Sequence, residues 1–328
     1  MIKKTILILL VLFSGILNAQ DMTYAEKLGF PKGKKVLILH VDDVGMSWDS
    51  NQGFIQASEN GVANSCSVMM PCPWVPDFVH YLKKHPNVDA GLHLTLTSEW
   101  NNYRWPPLMG QAQVPGLVDA EGAMHHEAED VVKFATADEV EKEIRAQLAR
   151  AKTMGFNPTH LDSHMGTVFM SPEFLQRYIK VGIENKIPVM FPGGHATVIG
   201  AQYSEEDKKK FREAGKMIWA GGLPVLDDLQ SQGFSIPKNT DVSNEKEIQR
   251  IATEYYSARI KELKPGLTMV IVHCTAPSEI FRYISGSGNV RKGDMLTMMN
   301  PDFKKFLETE GVILTTWREL KERRDKVK

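Results

Sequence analysis

The stretch KVLILHVDDVGMSWDSNQGF, residues 35–54, runs through Val36, Leu37, Ile38 and Leu39 and then delivers two adjacent carboxylates, Asp42 and Asp43. Three other segments set ionisable groups beside apolar runs: His93 in GLHLTLT, His160, Asp162 and His164 in THLDSHMG, and His273 at the end of TMVIVHC. Such groups are costly to bury alone, and a shared ligand would relieve that cost. One carboxylate with two imidazoles and open positions suits a divalent metal that holds a water. A second carboxylate beside it can take the proton from that water, so the aspartate pair reads as one ionised ligand and one base. Taken singly, His93 or His273 reads as well as a hydrogen-bonded core histidine; it is their accumulation on four segments that points to a site. His160 and His164 lie four apart, a spacing that pairs ligands on a helix but not on a strand running into a loop, so both need not bind. Strand alternation would send Asp42 and Asp43 to opposite faces, so both reach one site only if the strand has ended or bulged there. Gly45, two residues on, permits such a break.

The elements that must position these groups alternate. Eight short apolar segments, 36–41, 63–69, 88–95, 159–162, 188–191, 223–226, 267–272 and 312–315, read as strands with helical patterns between them. Thr136-Ala-Asp-Glu139 opens one helix through Val140, Ile144, Leu148 and Ala151 toward Gly155, and Ser171-Pro172-Glu173 opens another. Asp49 and Ser50 are placed to cap a helix over 51–58. Strand–helix alternation predicts a parallel sheet, and this many repeats predict a closed or nearly closed (β/α) barrel of the TIM type, with chemistry at the C-terminal strand ends. Residues 98–126, 193–203 and 230–243 read as long loops on that face, within a single domain. In the first of them Trp100, Tyr103, Arg104 and Trp105 suit stacking on a sugar ring, and ordinary loop packing accounts for them nearly as well.

With 328 residues, 42% of them hydrophobic, the chain can bury a large core. Thirty-nine basic against forty acidic residues, without a long basic run, argue against nucleic acid as a partner. Residues 1–19 read as a signal peptide, with Lys3 and Lys4 before an apolar stretch and Ala19 before Gln20. This predicts a mature domain over 20–328, secreted or periplasmic, with no membrane span after cleavage. Cys66, Cys72 and Cys274 lack zinc spacing and read as small buried hydrophobes, a Cys66–Cys72 bridge being the alternative. Nothing in the pattern specifies an oligomeric state.

These motifs resemble those of the YdjC/ChbG-like carbohydrate deacetylases, metal-dependent hydrolases that remove acetyl groups from N-acetylated sugars. The resemblance rests on VDDVGMS, NGVANSCSVMM, GLHLTLT and THLDSHMG, in the family's order and over most of the mature chain. It implies a distorted (β/α) barrel, an acetylated oligosaccharide or glycan as substrate, and one divalent ion, magnesium or zinc with manganese and cobalt as alternatives. Carried over position by position, it implies Asp43, His93 and His164 as ligands, Asp42 as catalytic base and His273 as the acid that protonates the leaving amine. Beside those ligands, Asp162 reads either as the acceptor that orients a ligand imidazole or as a helix or turn cap, and His160, Arg104 and Trp105 read as further contacts to a ligand or the substrate. The chain departs from the family pattern where Pro-Gly after the late histidine becomes Cys274-Thr275, and where D-S-H-x-H becomes Asp162-Ser163-His164-Met165-Gly166. The same ligand set could serve another ester, phosphoester or amide, with Arg104, Arg282 and Arg291 meeting an anion. The chain could also be an inactive secreted sugar-binding barrel.

Overall fold

A computed structural model describes residues 22–327, so the leader read at 1–19 lies outside the described residues. Seven strands, all paired in parallel, carry the fold: β1 Lys35–Val44, β2 Ser65–Val68, β3 Ala90–Leu94, β4 Leu161–Ser163, β5 Asp228–Gln230, β6 Gly266–Val272 and β7 Ile313–Leu314. The principal helices are α1 Tyr24–Lys27, α2 Trp48–Glu59, α3 Val75–Lys84, α4 Ala128–Phe134, α5 Ala137–Thr153, α6 Pro172–Asn185, α7 Glu205–Ala220, α8 Glu245–Glu262, α9 Gly288–Met298, α10 Pro301–Thr309 and α11 Trp317–Lys326. The sheet order is β4-β3-β2-β1-β6-β5. One edge of β1 is shared, with β7 pairing at Val36 and Leu37 and β2 from His40 onward.

Two expected strands survive only as bridges. Leu161 pairs with Val189 and Pro192 with Leu226, while Asp227 N donates to Leu267 O at 2.8 Å, so the ring closes from β4 round to β6 through single-residue contacts. The segment 188–191 is therefore no regular strand. Regular pairing read at 223–226 instead begins two residues later, at Asp228. Proline at 192, without an N–H, is one reason the ladder does not extend.

The strands are continuous apolar runs because both faces are covered. Leu37, Leu39 and Val41 pack outward among the helices, while Val36 and Ile38 pack inside with Met269 and Trp317, each such burial being worth about 1.5–3 kcal/mol. The inward row continues as His40 and Asp42. Trp317 lies across the lower interior and stacks on the His160 ring, centroids 5.1 Å apart.

The helix starts at Thr136 and Ser171 form as the sequence predicts, with a capping box at Thr136–Glu139 and a Ser171 cap before Pro172. The helix after β1 starts earlier than expected. Ser47 is its cap, and Asp49 inside the first turn accepts from Ser278 N at 2.6 Å, tying down the loop after β6. Cys66, Cys72 and Cys274 are buried and unpaired, and burial pushes each thiol up. Among the described residues no helix is long and apolar enough to cross a membrane.

Candidate metal centre

The cluster begins with a fault in β1. Its register with β2 slips between Val41 and Val44, where three steps on β1 face two on β2, and Asp43 there adopts φ 64°. This is a β-bulge with its strain on a non-glycine residue, and aspartate is among the few side chains that tolerate it. The slip turns Asp43 to the same side as the inward-facing Asp42. Gly45 completes the turn at φ 83°, where an added Cβ would lie 2.7 Å from Val75.

Neighbouring strands complete the group. His93 and Asp162 occupy inward positions between the outward Leu92, Leu94 and Leu161. Asp43 Oδ1 lies 3.3 Å from His93 Nε2 and 3.2 Å from His164 Nδ1, and all three residues are buried. His164 opens a 3-10 segment, His164–Phe169, that bends sharply where Met165 and Gly166 take φ 51° and 64°. Asp42 Oδ2 is 3.7 Å from His93 Nε2 and 4.0 Å from His273 Nε2. His273 follows β6; Asp294, whose carboxyl burial pushes up, holds its backbone N–H at 2.8 Å and accepts from Tyr256.

Electrostatics bind the group together. Burial alone would raise the Asp43 carboxyl, but Arg291, 2.7 Å from its Oδ2, and the imidazoles of His164 and His93 hold it well below the usual carboxylate range. Burial would likewise lower the two imidazoles. Asp42 and Asp162 push His93 well above its ordinary value, and Glu99 with Asp43 raises His164 to about 9. The carboxylates thus demand positive charge at this point. Asp43 Oδ1 is buried without a hydrogen-bond partner, and the donor set of two nitrogens and one oxygen lies within 4.8 Å. A divalent cation fits these residues, since it supplies that charge while leaving both imidazoles neutral.

Asp162 Oδ1 holds His93 Nδ1 at 2.7 Å, which turns Nε2 toward Asp43. His160 stands one layer deeper, against Gly91, where an added Cβ would lie 2.5 Å from its ring, and 3.7 Å from Asp162; burial lowers it, and it does not join the Asp43 group. Trp105 is buried, donating to Thr97 O, and Arg104 is consumed by Asp119, Glu121, His126 and Met124 O. These two pack the loop rather than face the cluster. Trp100 is the aromatic beside it, its ring centroid 6.5 Å from that of His164. Arg282 is exposed over Tyr283, away from the cluster, whereas Arg291 is part of it.

Two participants escape sequence reasoning. His40 Nε2 lies 3.2 Å from Asp42 Oδ1 and 2.9 Å from Asp162 Oδ2; burial would lower it, yet these carboxylates raise it to about 9. A histidine inside VLILHV was the available sign. Glu99 Oε2, 3.0 Å from His164 Nε2, had none.

Fold and site define an α/β barrel with a metal-type cluster at the C-terminal ends of its strands. The model of YdjC-like proteins matches residues 36–309, and the chain belongs to that family. A carbohydrate deacetylase of Brevibacillus brevis is 34% identical over 156 residues, 48% of this chain and 59% of that protein. The chain thus spans somewhat more than half the length of that relative. A carbohydrate deacetylase of Thermoanaerobacter pseudethanolicus is 23% identical over 88% of this chain and all of its own length, 100%. Among solved structures, an Enterococcus faecalis V583 protein named for a proposed role in cellobiose-phosphate cleavage superposes with TM-score 0.70 at 21% identity. It covers 88% of this chain and 99% of its own, and supports the fold.

Proposed function

We propose that the protein is a metal-dependent hydrolase that removes acetyl groups from N-acetylated amino sugars. The carrying observation is that Asp43, His93 and His164 converge while Asp42 and His273 flank them from separate strands. When bound by those three residues, a divalent ion would polarise the acetyl carbonyl and acidify a water. Asp42 accepts the proton of the attacking water through Oδ2, which faces His93 and His273 at 3.7 and 4.0 Å while Oδ1 lies against His40. The water oxygen bonds to the carbonyl carbon, the C–N bond breaks, and His273 Nε2 delivers a proton to the departing nitrogen. Acetate and a free amine result. Asp162 fixes the His93 tautomer throughout. The names of the relatives support the choice of a carbohydrate substrate. The leader pattern at 1–19 supports secretion.

Chelation followed by return of Mg, Mn, Co or Zn tests the reading, with acetate release from N-acetylglucosamine oligomers as readout. Activity is expected to vanish and return, and release that survives chelation refutes it. Alanine at Asp43, His93 or His164 should remove bound metal, whereas Asp42→Asn should keep it and lower turnover by about 100-fold or more. Equal metal loss in all four merges the two aspartate roles.

A further inference from the structure

The catalytic cluster opens sideways into a cavity of about 880 Å³ that the deacetylation chemistry does not use. Asp42 and His273 border it, so anything bound there is continuous with the reacting group. Its other walls come from the bent segment after β4, from 190–192, from α7 and from the ends of β5 and β6, and they are chiefly apolar, with Phe169, Met190, Phe191, Leu229 and Ile271 among them. The charged groups on α7 lie at the cavity rim, where Asp207 accepts from Ser204 Oγ at 2.7 Å and from Lys210 Nζ at 3.4 Å. Met165 and Met170 line the same space and remain 41% and 42% exposed, leaving large apolar side chains facing solvent. Where the resembling motif has a second histidine, this chain has Gly166 at φ 64°, and the turn carries Met165 into the cavity wall with its sulfur accepting from Thr97 Oγ1 at 3.3 Å.

Resting on the deacetylase reading, we infer that the substrate carries an apolar aglycone, alkyl or aryl, next to the acetylated amino sugar, and that this cavity receives it. A sugar chain placed here would find Ser163, Tyr203, Ser231, Asp207 and Lys210 among the lining residues, but along the methionine, phenylalanine, leucine and isoleucine walls its hydroxyls would be short of partners. An alkyl or aryl group instead buries its surface against these walls, and the volume lies in the range of ligand pockets that take drug-sized molecules. The site is thereby divided: polar groups at the strand ends grip the acetamido function, and the side cavity selects what the sugar is attached to.

The test compares octyl N-acetyl-β-glucosaminide, its methyl counterpart and N,N′-diacetylchitobiose with the metal-loaded enzyme. The octyl glycoside is expected to show a kcat/KM about tenfold or more above the disaccharide, expressed in KM. Ala214→Trp, which sets an indole into the α7 wall, should bring the octyl-to-disaccharide ratio down toward one. Calorimetry on the unmodified metal-free protein gives a readout independent of that variant's folding. There the octyl glycoside should bind about tenfold more tightly than the methyl, with a more negative heat-capacity change. Equal binding of methyl and octyl glycosides, or a faster disaccharide, overturns the inference. Acetate from the disaccharide alone does so while leaving the deacetylase reading standing. Tight octyl binding without acetate from any of the three overturns the deacetylase reading and keeps the apolar site.

Discussion

Asp162→Asn isolates the charge of one buried carboxylate. The 2.7 Å contact to His93 Nδ1 is a charge-assisted hydrogen bond, worth about 1.5–3 kcal/mol, and an asparagine oxygen in the same place retains a neutral one worth about 0.5–1.5 kcal/mol. The difference, about 1–2 kcal/mol, falls on His93 as a ligand and corresponds to metal binding weaker by about 5- to 30-fold. His40, 2.9 Å from the other oxygen of Asp162, loses a second charge partner, which costs stability rather than metal affinity. The assay is competitive chelator titration at fixed pH, with circular dichroism confirming the fold. His93→Ala should be far worse, because it removes the ligand itself. A folded Asp162→Asn protein that binds metal within about threefold of the parent refutes the charge-assisted role of Asp162, since losing that assistance should cost at least about fivefold.

The metal-free protein should lose thermal stability as pH rises from about 6.5 to about 9. His40 and His164 are raised to about 9 in the fold, so their stabilisation is complete below the unfolded value near 6.5 and gone above the folded one. Melting curves with and without metal check this, and the metal-loaded protein should show a shallower decline. Gly53→Ala places a methyl 2.3 Å from Cys274 O and should cost about 1–3 kcal/mol, with turnover falling through displacement of the adjacent His273 while metal content holds. Thermal melts and metal analysis separate the two. Expression with the full leader, in a bacterium with a general secretory pathway, should give a mature protein beginning at Gln20 on N-terminal sequencing; an intact Met1 would contradict the cleavage reading.

The half of the barrel that carries the cluster was legible because its signals are local. β1, β3 and β6 are apolar runs long enough to read, and Asp42, Asp43, His93 and His273 interrupt or end such runs, while His164 stands out by its spacing from His160 and Asp162 after the short β4. The other half was not. Its strand at 188–191 shrinks to bridges at Val189 and Pro192, and pairing that reads as Leu223 to Leu226 begins at Asp228, a carboxylate with no apolar look. Arg104 and Trp105 had the right chemistry for a sugar, and what removes them from the site is tertiary: Asp119, Glu121 and a buried tryptophan environment that no spacing encodes. Arg291 was visible as a cation, but its partner Asp43 lies 248 positions away, and only the pairing of β1 with β6, the strand that precedes α9, brings them together.

The broken ladder at 188–192 divides the labour of evolution as well as the hydrogen bonds. The ligand-bearing strands are locked by consecutive backbone pairs, so a change there shifts several groups at once. Residues 189–192 answer to only one bridge on either side, and Met190, Phe191 and Pro192 face the side cavity. On the proposal that this cavity selects what the sugar is attached to, substitution between 188 and 192 should change selectivity while the geometry of the catalytic half stays in register.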